Sequence, residues 1–67
     1  MKIKINGTVY ELDSVTTIDD VLQHFGVSYA HGVAVAVNYD VISKDRIQTQ
    51  TVCEGDEIEI IRATQGG

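Results

Sequence analysis

Thr16-Thr17-Ile18-Asp19-Asp20-Val21-Leu22-Gln23-His24-Phe25-Gly26 carries the helical periodicity of this chain. Ile18, Val21, Leu22 and Phe25 recur at i, i+3, i+4 and i+7, which lays one apolar stripe along a helix. Thr16 or Thr17 can accept a hydrogen bond from a free first-turn amide. Asp19 and Asp20 lie where the helix dipole favours negative charge, and Gly26 stands where a left-handed C-terminal cap belongs. On its N-terminal side, Lys2-Ile3-Lys4-Ile5-Asn6 alternates with the period of a half-buried strand, Asn6-Gly7 suits a two-residue turn, and Thr8 to Leu12 supplies a second β-prone run. Beyond the helix, Val33-Ala34-Val35-Ala36-Val37 is apolar on both faces, with the valines on one and the alanines on the other. Asn38-Tyr39-Asp40 reads as a turn and Val41-Ile42 as a brief extended piece. Ser43-Lys44-Asp45 starts a helical turn that buries Ile47. Glu54-Gly55-Asp56 turns tightly into the alternating run Glu57-Ile58-Glu59-Ile60-Ile61. Hairpin, helix, strand, short connection, strand is an α+β order, in which the helix returns over one sheet face and the last strand lies parallel beside the first by a right-handed crossover.

With 67 residues, folding buries only about 60% of the unfolded surface, so the core is thin. A catalytic pocket would compete with that core for the same apolar side chains, which favours a binding or carrier role over a self-contained enzyme. Five Lys and Arg against ten Asp and Glu leave a net charge of −5. Such a surface repels phosphate backbones and suits a basic groove on another protein, so no nucleic-acid partner is expected. The longest apolar run, Val33 to Val37, is far short of the roughly 20 residues that span a bilayer. The first residues lack the apolar stretch of a secretory signal. No membrane association and a cytoplasmic location are expected. Cys53 is the only cysteine, which rules out an internal disulfide and a multi-cysteine metal site.

Side chains suited to catalysis are few. His24 falls off the apolar stripe and is expected to face solvent. His31 sits in a loop without a second ligand nearby in sequence, and no metal site is expected. Cys53 reads as a small buried hydrophobe. Asp19 and Asp20 complement the helix dipole first and form a docking surface second. Glu54, Asp56, Glu57 and Glu59 include turn formers and outward positions, and their density near the last strand also suits an electrostatic handle for a basic partner. If Ile58 and Ile60 point inward, then Glu57, Glu59 and Ile61 share the outer sheet face near the first-strand lysines, where a partner can dock.

The C-terminus is the exception. Two glycines in both final positions, Gly66 and Gly67, arise by chance in about one chain in 200 at average composition. Without a Cβ such a tail can thread a narrow channel, and no side chain screens the carbonyl of Gly67 from attack. A carboxylate does not accept nucleophiles at neutral pH, so it must first be activated, most simply as an acyl-adenylate. No apolar side chain follows Ala63, so residues 1–63 read as the folded domain and residues 64–67 as a flexible diglycine tail.

The Asn-Gly hairpin, the single capped helix, the Val-Ala strand ending in Asn38, Gly55-Asp56 before the last strand and the terminal Gly66-Gly67 together resemble the ubiquitin-like β-grasp sulfur carriers, above all those of thiamine biosynthesis. The likeness runs from Met1 to Gly67 and is densest in Val33–Asn38 and Gly55–Ile60. It implies a mixed sheet of four to five strands packed on one helix. It also implies a protein cosubstrate rather than an enzyme, with no cofactor of its own. In this reading a ubiquitin-activating-type enzyme adenylates the Gly67 carboxylate with ATP and magnesium, and a persulfide sulfur donor displaces AMP to leave a thiocarboxylate. Thiazole synthase then receives the sulfur. The chain departs from the family pattern in the polar Thr64-Gln65 before the diglycine and in Ser43-Lys44-Asp45-Arg46, which lacks a proline. The alternatives are a molybdopterin-synthase small subunit, a ubiquitin-related modifier that acylates lysines, and a plain β-grasp interaction module whose diglycine has no chemistry.

Overall fold

A computed structural model describes residues 1–13, 15–27 and 32–62. The seven elements are β1 (Lys2–Ile5), β2 (Thr8–Glu11), α1 (Ile18–His24), β3 (Val33–Val37), β4 (Asp40–Ile42), α2 (Lys44–Ile47) and β5 (Glu57–Arg62). They form one five-stranded mixed sheet in the order β2-β1-β5-β3-β4. The last strand therefore lies in the middle, parallel to β1 through Lys4↔Glu57 and Ile5↔Ile58 and antiparallel to β3 from Val33↔Arg62 to Val37↔Ile58. This is the ubiquitin-like β-grasp fold. The expected parallel pairing of first and last strands is present, and the strand count is the upper of the two expected.

Helix α1 is set by its ends. Thr17 is the N-cap: its hydroxyl accepts from the Asp20 amide (3.2 Å), and the Asp20 carboxylate accepts from the amides of Thr16 (2.8 Å) and Thr17 (3.0 Å), closing a capping box. Those two backbone donors hold the Asp20 carboxyl below the usual carboxylate range. At the other end Gly26 takes φ 68, and the amides of Gly26 and Val27 return to the carbonyls of Gln23 and Leu22 in a Schellman closure. The start of the helix is tied to the far connection by Ile18 N–H to Gln50 O (3.0 Å) and Val52 N–H to Thr16 O (2.9 Å).

One face of the sheet buries Ile3, Ile5, Val35, Val37 and Ile58 against Ile18, Val21 and Leu22 of α1, with Leu12, Ile47 and Val52 closing the sides. The short helix α2 exists to place Ile47, which is fully buried while its neighbours are exposed. Phe25 is only half-buried, and its ring meets Tyr10 of β2 edge-on with centroids 4.9 Å apart. Two expectations need correction. The second hairpin turn is only Asn38-Tyr39, because Asp40 already pairs with Val37. Cys53 is exposed, not buried: its amide donates to Asp56 Oδ2 (2.8 Å) within the turn, and Val52 occupies the core position beside it. The expected tail, 64–67, lies outside the described residues, as does His31.

Both hairpins use asparagine at the first turn position, with positive φ at both turn residues: Asn6 (49) and Gly7 (88), Asn38 (51) and Tyr39 (72). Each asparagine then reaches across to β5. Asn6 Oδ1 accepts from the Ile60 amide (2.8 Å) and its Nδ2 donates to Ile60 O (3.4 Å). Asn38 Oδ1 accepts from the Glu57 amide (3.0 Å) and its Nδ2 donates to Asp56 Oδ1 (3.1 Å). Asn6→Gly keeps the turn conformation accessible and removes only the clamp, so it is expected to lower unfolding free energy by about 0.5–1.5 kcal/mol. Asn6→Ala is expected to cost about 1–2 kcal/mol more, because alanine is strained at positive φ. Urea unfolding checks both, and unchanged midpoints would show that β5 is not held there.

Candidate functional site

Alternation along β5 sends Ile58 and Ile60 toward α1 and Glu57, Glu59 and Ile61 to the outer face, as expected. Ile58 is fully buried, Ile60 partly so, and Ile61 is 49% exposed. Cross-strand pairing sets Ala34 beside Ile61 and Ala36 beside Glu59, and Ala36 in turn beside Val41 of β4. Because the outer-facing residues of β3 are alanines, that strand lies low, while Ile61 and Val41 (72% exposed) stand above it. Gly32, Val33, Ala34 and Ile61 line a shallow depression of about 290 Å³ beside it. The outer face thus carries an apolar trough with a charged border.

The charges on that border are partly spent. Lys4 lies opposite Glu57 in the β1–β5 ladder, and its Nζ is 3.4 Å from Glu57 Oε2. The Tyr39 hydroxyl also donates to Glu57. Together these hold the Glu57 carboxyl below its usual range, the tyrosine bond contributing most, and the same bond raises the Tyr39 phenol. Of the four acidic residues expected to form one handle, Glu54 accepts from the Lys2 amide (3.0 Å) and Asp56 closes the turn. Glu57 is shared between Lys4 and Tyr39. Among the described residues Glu59 alone of the four makes no ion pair or hydrogen bond, so the handle is narrower than composition suggests. In the same way Asp20 is consumed by the capping box, and Asp19 accepts from Gln23 Nε2 (2.7 Å).

The remaining candidates gather nowhere. His24 is exposed, as expected, with its ring against Phe25 at 5.0 Å. Among the described residues no three His, Cys, Asp or Glu are placed to hold a metal ion, and no helix is long and apolar enough to cross a membrane. Gly66 and Gly67 lie outside the described residues. Sequence reasoning missed Asn6 and Asn38 as clamps and Tyr39 as part of the outer face. Asparagine at the first turn position of both hairpins was the available signal, since its carboxamide carries a donor and an acceptor on separate atoms and the residue tolerates positive φ.

The model of the ThiS family matches residues 3–67. The chain belongs to the ThiS family. A crystal structure of the thiamine biosynthesis protein ThiS from Geobacter metallireducens superposes with a TM-score of 0.83 at 26% identity, covering 100% of both chains. A solution structure of a thiamine biosynthesis protein from the same organism gives a TM-score of 0.80 at 26% identity over 100% of this chain and 88% of that one. No curated protein matches the sequence significantly.

The linkage between Tyr39 and Glu57 can be read directly. A carboxyl depressed in the fold stabilises the protein above its unfolded value, and that contribution is lost as pH falls through the folded value. In Tyr39→Phe the Glu57 carboxyl is expected to titrate at higher pH than in the wild type, yet still below an unpaired glutamate because Lys4 remains. Side-chain carboxyl NMR titration checks it, and an unmoved Glu57 would exclude the hydroxyl as the main cause.

Proposed function

We propose that this chain is a sulfur carrier of thiamine biosynthesis, with the carboxylate of Gly67 as the group that is activated and loaded. The observation that carries the reading is the family match, which continues through the diglycine to residue 67. Full-length likeness to a thiamine biosynthesis protein from Geobacter metallireducens supports it. The chain itself supplies no catalytic group in this scheme, and ATP and magnesium belong to the activating partner.

The chemistry follows from the carboxylate. A ubiquitin-activating-type enzyme lets a Gly67 carboxylate oxygen attack the α-phosphorus of ATP, and pyrophosphate leaves. A persulfide then attacks the acyl carbon and expels AMP, giving an acyl disulfide. A thiol attacks the donor's sulfur in that disulfide, forms a new disulfide with it, and releases the thiocarboxylate. On thiazole synthase the thiocarboxylate sulfur attacks an electrophilic carbon of the bound substrate to give a thioester. Water then attacks the acyl carbon, so the sulfur leaves on the substrate as a thiol and Gly67 returns to a carboxylate. Gly66 and Gly67 serve by lacking side chains, so the end of the chain passes a narrow channel and the acyl carbon stays open on both faces.

The outer face is the docking surface in this proposal, with Ile61 at its apolar centre and Glu59 and Glu57 at its border. Five residues follow Arg62, which places the Gly67 carboxylate at most about 18 Å beyond β5. Ordering such a tail costs about 1–2 kcal/mol per residue, and glycines return little contact area, so affinity must come from the folded body. Ile61→Asp is expected to raise the KM of the chain for its activating enzyme by about tenfold while leaving the melting temperature within a few degrees. A chain with one alanine added after Gly67 is expected to form no thiocarboxylate at unchanged stability, because the carboxylate is carried past the activating phosphate. Intact mass after incubation with the activating enzyme, MgATP and a sulfur donor checks both. Normal conversion of the untrimmed, extended chain would eliminate the carrier reading.

A further inference from the structure

The turn between β3 and β4 holds a residue that the turn itself does not favour. A two-residue hairpin turn with positive φ at both positions favours glycine in the second, yet Tyr39 occupies it at φ 72. The ring does not fill the core, for Tyr39 is 83% exposed. It stands on the outer face instead, where with Lys4, Gly7, Glu57 and Glu59 it borders a groove of about 130 Å³. Asn38 fixes the base of this turn on β5 through its bonds to Glu57 and Asp56. A bulky, exposed aromatic ring kept at a strained backbone position is a feature that core packing does not explain.

The surroundings say what the ring can receive. Lys4 is offset by Glu57, so the local field is set by Glu59, which has no ion-pair partner among the described residues, within a chain of net charge −5. A tyrosine face beside a free carboxylate attracts a guanidinium, which stacks on the ring and pairs with the carboxylate at once. A second copy of this chain is a poor occupant, because it would bring the same carboxylates to the same face. We propose that Tyr39 is a recognition residue for the activating enzyme, its ring receiving an arginine from a basic face of that partner while Glu59 pairs with the same guanidinium. The inference deepens the carrier reading and rests on it.

The test is ATP–pyrophosphate exchange by the activating enzyme, with KM and kcat determined for this chain as the substrate. Tyr39→Gly relieves the backbone strain but also removes the bond to Glu57, so its melting temperature is expected to stay within a few degrees of the wild type. Its KM is expected to rise about tenfold with kcat little changed. A merely structural tyrosine would move stability and leave KM alone. Tyr39→Asn, which also tolerates this backbone conformation, is expected to show the same rise, and Tyr39→Phe to restore most of the affinity because it keeps the ring. Wild-type KM in both Tyr39→Gly and Tyr39→Asn, with normal exchange by the wild type, would overturn this inference alone. Absence of any exchange with the wild-type chain would overturn the carrier reading and this inference with it.

Discussion

Strand β5 enters the sheet last in sequence and stands in its middle, and the rest of the fold depends on how its backbone is held. Its inner residue Ile58 is at the centre of the core, and its flanks are the ladders to β1 and β3. Ladders alone leave register open to slippage where one neighbour is short, and the β1–β5 pairing spans only two residue pairs. The amides of Asn6 and Asn38 remove that freedom, one from each hairpin, by fastening on Ile60 and on Glu57 with Asp56. The two turns that reverse the chain are thus also the two devices that fix the central strand. A one-residue slip of β5 would break both clamps and send Ile58 to solvent.

The outer face follows from that registration. With β5 fixed, Glu57 meets Lys4 and Tyr39, Ile61 meets Ala34, and Glu59 meets Ala36. The pairs of small with large residues leave a trough, and the Lys4–Glu57 pair leaves Glu59 as the unpaired carboxylate of β5 among the described residues. A partner therefore meets a rigid, slightly apolar surface on the same strand whose chain continues toward Gly67. In the proposed function, recognition by the folded body and chemistry at the Gly67 carboxylate are separated along the chain, which suits a carrier that is held by one enzyme and then passed to another.

Much of this was legible in the sequence. Alternation in Lys2–Ile5 and Glu57–Ile61, the stripe from Ile18 to Phe25 and the burial of Ile47 each follow from a local period and a local cap, and each is found. The outward set Glu57, Glu59 and Ile61 follows from the same alternation. What could not be read there depends on contacts distant in sequence. Cys53 faces solvent because Asp56 takes its amide, and Glu54 and Asp56 are consumed by the turn and β1 rather than offered to a partner. The role proposed for Tyr39 needs the fold, because the turn is two residues long only once β4 begins at Asp40 and only the sheet brings Tyr39 beside Glu57 and Glu59. Gly66 and Gly67 are singled out on chemical grounds alone, and they lie outside the described residues.

The most direct measurement of the carrier function is the intact mass of this chain isolated from its own cells grown without thiamine, followed by fragmentation of the C-terminal peptide. A population in which one oxygen is replaced by one sulfur, located at Gly67, is the expected result. A chain found only as the free carboxylate under those conditions, or joined through Gly67 to lysines of other proteins, would contradict it.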